Sequence, residues 1–171
     1  MTNAKKPRIV WVEDDQFLWI HFEAALHAWF KNPEIVFFAN GDEAWDNICV
    51  RDPDLFITDF AHPGLDGVEL LKRVAARNVQ YPVVFATGFL GKFATKEIEA
   101  LGLNLTIIVK PFTREDFWSK VCLPLGPCEN GDTIASFNRW QRENSERLKS
   151  AVQSSRISVI DERNKGRLGS T

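Results

Sequence analysis

The chain has 171 residues, of which 44% are hydrophobic and 26% are charged, as is typical of one compact globular domain with some residues to spare. Its formal net charge of -2 gives no electrostatic reason to expect nucleic acid or an anionic membrane as an obligatory partner. No segment approaches the roughly 18 apolar residues that a bilayer span requires. Carboxylates interrupt the N-terminal apolar run IVWV too early for a signal peptide.

The first part of the chain alternates short apolar runs with amphipathic segments. The short runs are β-branched and aromatic, whereas the longer segments carry apolar residues broadly at helical spacing, beginning with Phe17 and Ile20. Pro33 and Pro53 break the pattern, and Asn40-Gly41 is predicted to be a turn. The predicted elements are strands at 9–12, 35–38 and 55–58 and helices at 17–30 and 42–50.

The same alternation continues beyond the third strand. Pro63, Gly64 and Gly67 mark a loop after that strand. Thr113 is predicted to cap the last helix, with Asp116 three residues further on. The predicted elements are helices at 68–76, 95–101 and 113–121 and strands at 83–86 and 105–109.

Strand and helix alternating five times predict an α/β fold, with a parallel sheet covered on both faces by helices. The continuously apolar strands agree with this, because such strands are buried on both sides. The domain is expected to span residues 1–125. Residues 126–171 form a polar extension that is too short for a further domain, with a weakly apolar helix at 132–152 and a disordered end.

The residues that end the predicted strands are chemically complementary. The first strand ends at Glu13 and Asp14, the third at Asp59, the fourth at Thr87 and the fifth at Lys110. In open α/β sheets the ligand site lies beyond these carboxyl ends. Converging carboxylates repel each other unless a cation lies between them, and hard oxygen ligands suit Mg²⁺. A hydroxyl and an ammonium suit a phosphoryl group, so the set predicts phosphoryl transfer with Asp59 as the nucleophile.

Each of these residues taken singly is ordinary. A lone aspartate at a strand end is more often a loop or capping residue, and residues 13–15 alone could be the acidic first turn of a helix. The joint arrangement at four strand ends is what predicts the site.

Over about residues 7–123 the chain resembles a response-regulator receiver domain of two-component signalling. The matching segments, in the family's order and spacing, are IVWVEDD, LFITDFAHPGLDGVELL, VVFATGF and VKPF. The resemblance implies a flavodoxin-like, doubly wound fold whose five-stranded parallel sheet has the strand order 2-1-3-4-5.

The resemblance also implies a role for each site residue. Asp59 would accept a phosphoryl group from a phosphohistidine donor. Thr87 would donate a hydrogen bond to a phosphoryl oxygen and Lys110 would pair with it, with the Lys110-Pro111 bond in the cis form. The implied protein ligands of Mg²⁺ are Asp14 directly, Glu13 through water, Asp59, and Ala61 through its backbone carbonyl.

Four positions stand out against the usual family pattern. Ile107 lies three residues before Lys110, where an aromatic residue usually swings inward, so either the switch is altered or Ile107 is a plain edge residue. His62 replaces a common methionine, and either tunes access to the site with pH or is an ordinary loop histidine. Ala61 and Phe89 offer no polar group to orient an attacking water, which predicts a long-lived phosphorylated state.

The leading functional hypothesis is a phosphorylation-dependent switch. Its expected partners are a sensor histidine kinase or histidine phosphotransfer protein and an unknown downstream protein, reached through the surface of the fourth helix, fifth strand and fifth helix. Homodimerisation is left open. The alternative is a pseudo-receiver, an interaction module that is not phosphorylated.

Two further functions are disfavoured by the sequence. A phosphohydrolase would need a second general acid two residues after its nucleophile, and Ala61 cannot supply it. A nucleic-acid binder is disfavoured because the charges of the C-terminal extension are balanced.

The three cysteines bear on the cellular compartment. Cys49, Cys122 and Cys128 form no CxxC pair, and an odd number argues against a disulfide framework. Reduced thiols in the cytoplasm are the simplest interpretation, and the minor alternative is that Cys122 and Cys128 pair or bind metal.

Overall fold

The computed structural model describes residues 6–30, 32–88 and 92–122. Strands and helices alternate along this part of the chain, as the sequence predicts. The strands are Arg8–Val12 (β1), Glu34–Phe38 (β2), Leu55–Asp59 (β3), Val83–Thr87 (β4) and Leu105–Val109 (β5). The helices are Gln16–Trp29 (α1), Gly41–Val50 (α2), Gly67–Ala76 (α3), Lys92–Glu99 (α4) and Arg114–Phe117 (α5), followed by a π-helical turn over Trp118–Cys122.

The five strands form one parallel sheet in the order β2-β1-β3-β4-β5. The predicted flavodoxin-like fold and its strand order are therefore confirmed. Among the described residues, no helix is both long enough and apolar enough to cross a membrane. The predicted extension at 126–171, with its helix at 132–152, lies outside the described residues.

A predominantly aliphatic core lies on the face of the sheet that α2, α3 and α4 cover. Alternate strand residues point to this face because successive side chains of a strand project to opposite sides. Ile107 is half-buried and packs against this core, with Phe85 as its neighbour in the β4–β5 register. The fully buried members of the core include Val10, Val12, Ala44, Ile48, Phe56, Leu70, Leu71, Val74, Val83 and Phe85.

The opposite face of the sheet carries an aromatic core. Trp11 of β1 is fully buried, and its ring lies 5.5 Å from that of Phe117 in α5 and 6.0 Å from that of Phe22 in α1. Phe112, two residues after Lys110, lies 5.0 Å from Phe22 by ring centroids. These contacts attach α1 and α5 to the strand that leads into the acidic residues.

Helix boundaries depend on caps that the apolar pattern does not show. Asn40 is the N-cap of α2 and accepts a hydrogen bond from the Asp42 N–H, so Asn40-Gly41 starts a helix and the predicted separate turn is wrong. The predicted cap at Thr113 is confirmed, because Thr113 and Asp116 form a reciprocal capping box. The predicted single last helix instead becomes a short α-helix and a π-helical turn.

Candidate phosphoacceptor and metal site

The carboxyl ends of β1 and β3 bring three carboxylates together. Val12 pairs with Thr58 in the register, so Glu13 and Asp59 follow at neighbouring strand ends. The carboxylate oxygens of Glu13, Asp14 and Asp59 lie within 4.8 Å of one another. Glu13 and Asp59 are buried, whereas Asp14 is exposed. The structure thus groups three of the four predicted metal ligands.

Lys110 connects the acidic residues to β5. Its Nζ donates to Glu13 Oε2 at 2.6 Å and lies 2.9 Å from Asp59 Oδ2. Its backbone N–H donates to the Thr87 carbonyl at 2.7 Å, and the Lys110-Pro111 bond is cis, as predicted. The ion pair with Glu13 was not predicted, since the sequence pattern assigned Lys110 only to the phosphoryl group.

Burial and the ion pairs act against each other on the pKa values of these groups. Burial raises the pKa of Glu13, and the hydrogen bond from Lys110 opposes this without cancelling it. Burial acts to lower the pKa of Lys110, but the hydrogen bonds and charges of Glu13 and Asp59 outweigh it and raise this pKa. Lys110 is therefore a fixed positive charge beside Asp59 at neutral pH.

This group of side chains fits a divalent cation. Three carboxylates lie beside one ammonium, which pairs with Glu13 and Asp59, so the cluster has more negative than positive charge, and two of its carboxylates are buried. Negative charge crowded in this way favours a bound cation, and an all-oxygen donor set suits Mg²⁺. Asp15 does not belong to the cluster, because its side chain accepts the Phe17 N–H at 2.9 Å and caps α1.

The remaining predicted site residues lie on adjacent segments. Thr87 is the last residue of β4 and is fully buried, beside Val109 in the register. Ala61 is exposed, two residues after Asp59. The Phe60 N–H donates to Asp59 Oδ1 at 2.6 Å, a contact that sequence reasoning missed. Phe89 lies outside the described residues.

A second missed contact holds the loop after Asp59. His62 Nε2 lies 3.1 Å from Thr58 Oγ1, and Thr58 is fully buried. No periodic pattern links the two residues. The sequence feature that could have indicated this contact is Thr58 itself, a polar residue on an otherwise apolar strand, immediately before Asp59.

Fold and site together define a class, the α/β domains that group carboxylates and a lysine at the carboxyl ends of parallel strands. Within that class, the family model of the response regulator receiver domain matches residues 9–121. The chain belongs to this family, which confirms the resemblance seen in the sequence.

Individual proteins agree with this assignment. The uncharacterized transcriptional regulatory protein YesN of Bacillus subtilis is 34% identical over 83 residues, which are 48% of this chain and 22% of YesN. Chemotaxis protein CheY1 of Helicobacter pylori is 33% identical over 90 residues, which are 51% of this chain and 72% of CheY1. The BeF3-activated receiver domain of Klebsiella pneumoniae RstA has a TM-score of 0.59 and 26% identity, covering 69% of this chain and 97% of that one. The chain spans less than a quarter of the length of the first curated relatives it matches, at 22% and 17%.

Proposed function

We propose that this chain is a phosphorylation-dependent signalling switch whose phosphoacceptor is Asp59. The donor is a phosphohistidine on a sensor histidine kinase or a histidine phosphotransfer protein. The observation that carries the proposal is the convergence of Glu13, Asp14, Asp59 and Lys110 at one edge of the sheet. The domain of this switch spans residues 1–125, and residues 126–171 are an extension of it.

Asp59 is held in an orientation suited to a nucleophile. The Phe60 N–H donates to Oδ1 at 2.6 Å and Lys110 Nζ lies 2.9 Å from Oδ2, so both carboxylate oxygens are held in place. In the transfer step, a carboxylate oxygen forms a bond to phosphorus while the bond between phosphorus and the imidazole nitrogen of the donor breaks. The electron pair of the broken bond stays on the imidazole nitrogen, and the product is an aspartyl phosphate.

Lys110 and Thr87 serve the transferred group. Phosphoryl transfer depends mainly on positioning and on neutralising the charge of the phosphoryl oxygens. The Lys110 ammonium already lies 2.9 Å from Asp59 Oδ2, where it can pair with such an oxygen. The buried Thr87 hydroxyl, at the end of the next strand, donates a hydrogen bond to the same group.

The metal of this site would be Mg²⁺, and the residues that would hold it are Asp14, Glu13 through water, Asp59 and, through its backbone carbonyl, Ala61. When bound, Mg²⁺ neutralises charge on the phosphoryl oxygens. Buried Glu13, already bonded to Lys110, suits a ligand that acts through water, whereas exposed Asp14 is accessible from solvent.

The phosphorylated state is expected to persist. The methyl side chain of Ala61 cannot orient a water molecule for attack on the aspartyl phosphate, and Phe89 offers no polar group either. A phosphoryl lifetime of only seconds in the Mg²⁺-loaded chain would contradict this expectation.

The output surface is proposed at α4, β5 and α5. Val109 lies on β5, the outer strand of the sheet, where it is 55% exposed and lies near half-buried Ile107. The downstream protein binds this surface or receives the phosphoryl group in turn. We place the switch in the cytoplasm, where the exposed free thiol of Cys49 would stay reduced.

The test is to add Mg²⁺ and then beryllofluoride, a phosphoryl mimic, while following tryptophan fluorescence. Wild type should give a saturable change that requires Mg²⁺ and is lost in Asp59→Asn. Incubation with acetyl phosphate should add one phosphoryl group by intact-mass spectrometry, again not in Asp59→Asn. Asp46→Asn, at an exposed aspartate of α2, is the matched control and should behave like wild type. Absence of any adduct on wild type would favour the pseudo-receiver instead.

A further inference from the structure

The loop that follows Asp59 is fixed where it joins α3. The Gly67 N–H donates to the Phe60 carbonyl at 3.0 Å. A Cβ at Gly67 would lie 2.0 Å from the Asp59 carbonyl oxygen, so only glycine allows this close approach. The two ends of the loop are therefore bound to each other.

A second contact holds the middle of the loop against the start of α2. The Pro63 carbonyl accepts the Gly41 N–H at 2.9 Å. A Cβ at Gly41 would lie 2.0 Å from the Leu65 carbonyl oxygen and 2.8 Å from His62 Cε1. The His62 ring thus packs directly on the backbone of Gly41.

The third contact joins His62 to the interior of the sheet. Its Nε2 lies 3.1 Å from Oγ1 of fully buried Thr58, and its Nδ1 lies 3.3 Å from the Pro63 carbonyl oxygen. The Thr58 hydroxyl donates its one proton to the Asp59 carbonyl at 3.1 Å, so a neutral ring donates Nε2–H to Thr58 Oγ1. The ring then bridges the core and the loop backbone.

We propose that His62 is a positioning residue for the metal site, acting through its hydrogen bond with Thr58. Ala61, whose carbonyl is the proposed Mg²⁺ ligand, lies between Phe60 and His62, which are both held by the contacts above. A carbonyl fixed before the cation arrives binds it without an ordering cost, whereas a loop free to turn must first be ordered. This inference rests on the Mg²⁺ site of the proposed function.

The test is a double-mutant cycle on Mg²⁺ affinity, measured by isothermal titration calorimetry of the metal-free full chain. Thr58→Val and His62→Met should each weaken Mg²⁺ binding by about three- to tenfold, the range for one hydrogen bond. The double variant should bind Mg²⁺ about as tightly as the single variant with the lower affinity, because both changes remove the same hydrogen bond between Thr58 and His62. Thr58→Ser and His62→Gln keep a hydrogen-bonding group and should bind nearly as well as wild type.

Controls separate this role from a merely structural one. His27→Met replaces an exposed histidine of α1 and should leave Mg²⁺ affinity unchanged. The proposal would be overturned if the variants bound Mg²⁺ as tightly as wild type, even if they were less stable. It would also be overturned if the losses of Mg²⁺ affinity in the two single variants added up in the double variant. Should Thr58→Val fail to fold, the difference between His62→Met and His62→Gln decides the question alone. No Mg²⁺ binding by wild type would instead refute the proposed function.

Discussion

The amino and carboxyl edges of the sheet, where its parallel strands begin and end, bury charged side chains in opposite ways. At the amino edge, the guanidinium of Arg8, 4% exposed, donates to the Arg51 carbonyl at 2.7 Å and to Asn47 Oδ1 at 2.5 Å, and pairs with Glu34 at 3.3 Å. At the carboxyl edge, three carboxylates lie close together, and the ammonium of Lys110 pairs with two of them, Glu13 and Asp59. At the amino edge one cation, Arg8, has several acceptors. At the carboxyl edge several anions lie beside one cation, Lys110.

This difference separates a structural network from a binding site. A buried charge whose hydrogen bonds are met within the protein needs no ligand, and removing a partner mainly costs stability. A cluster with an excess of one sign is completed by an ion of the other sign. The same fold thus uses charge for stability at the amino edge and for binding at the carboxyl edge.

The largest effect on stability is expected at the amino edge. Arg8→Met should lower the free energy of unfolding by about 3 kcal/mol, because it removes the three side-chain hydrogen bonds of a buried guanidinium, each contributing about 1 kcal/mol. Arg51→Met is the matched control and should cost less than about 1 kcal/mol, since Arg51 is 52% exposed and pairs with Glu34 near the surface. Urea unfolding of both variants measures the difference. Equal losses of stability in the two variants would mean that the buried Arg8 network contributes no more to stability than the exposed Arg51–Glu34 pair.

The carboxyl edge should show the reverse behaviour. Saturating Mg²⁺ at about a hundred times its dissociation constant should stabilise wild type by about 2.7 kcal/mol. Asp14→Asn should lose most of this gain, yet be at least as stable as wild type without metal, because it relieves repulsion with Glu13 and Asp59. Thermal unfolding with and without Mg²⁺ measures both effects. A metal-free Asp14→Asn protein much less stable than wild type would show that Asp14 has a structural role instead.

The smallest predicted effect concerns Tyr81, the one tyrosine of the chain, which precedes β4 at the amino edge. Burial, and then the charge of Asp52, raise its pKa to about 12. A folded-state pKa above the ordinary value of 10.0 stabilises the fold below pH 10, and this contribution is lost as the pH rises towards 12. Phenolate absorbance should therefore titrate near pH 12 in the folded chain and near 10 in denaturant. Titration of the folded chain near 10 would contradict the burial of the hydroxyl.

The pattern of the sequence was sufficient for the fold and for most of the site. Apolar runs that alternate with amphipathic segments specify a parallel α/β sheet, because strands buried on both faces and helices buried on one have different periods. Such a sheet brings its carboxyl ends together, so Glu13, Asp14, Asp59 and Lys110 could be placed near one another before any distance was known.

The sequence by itself therefore determined the order of the elements and the chemistry at the strand ends. Only the tertiary structure decided how neighbouring acidic residues divide their roles, with Asp14 in the cluster and Asp15 at the helix cap. It also decided the bond of Glu13 to Lys110 and the support of the loop by His62. Periodicity reports which face a side chain occupies along its own element. Which side chains meet across elements depends on packing in three dimensions, and local sequence does not encode that.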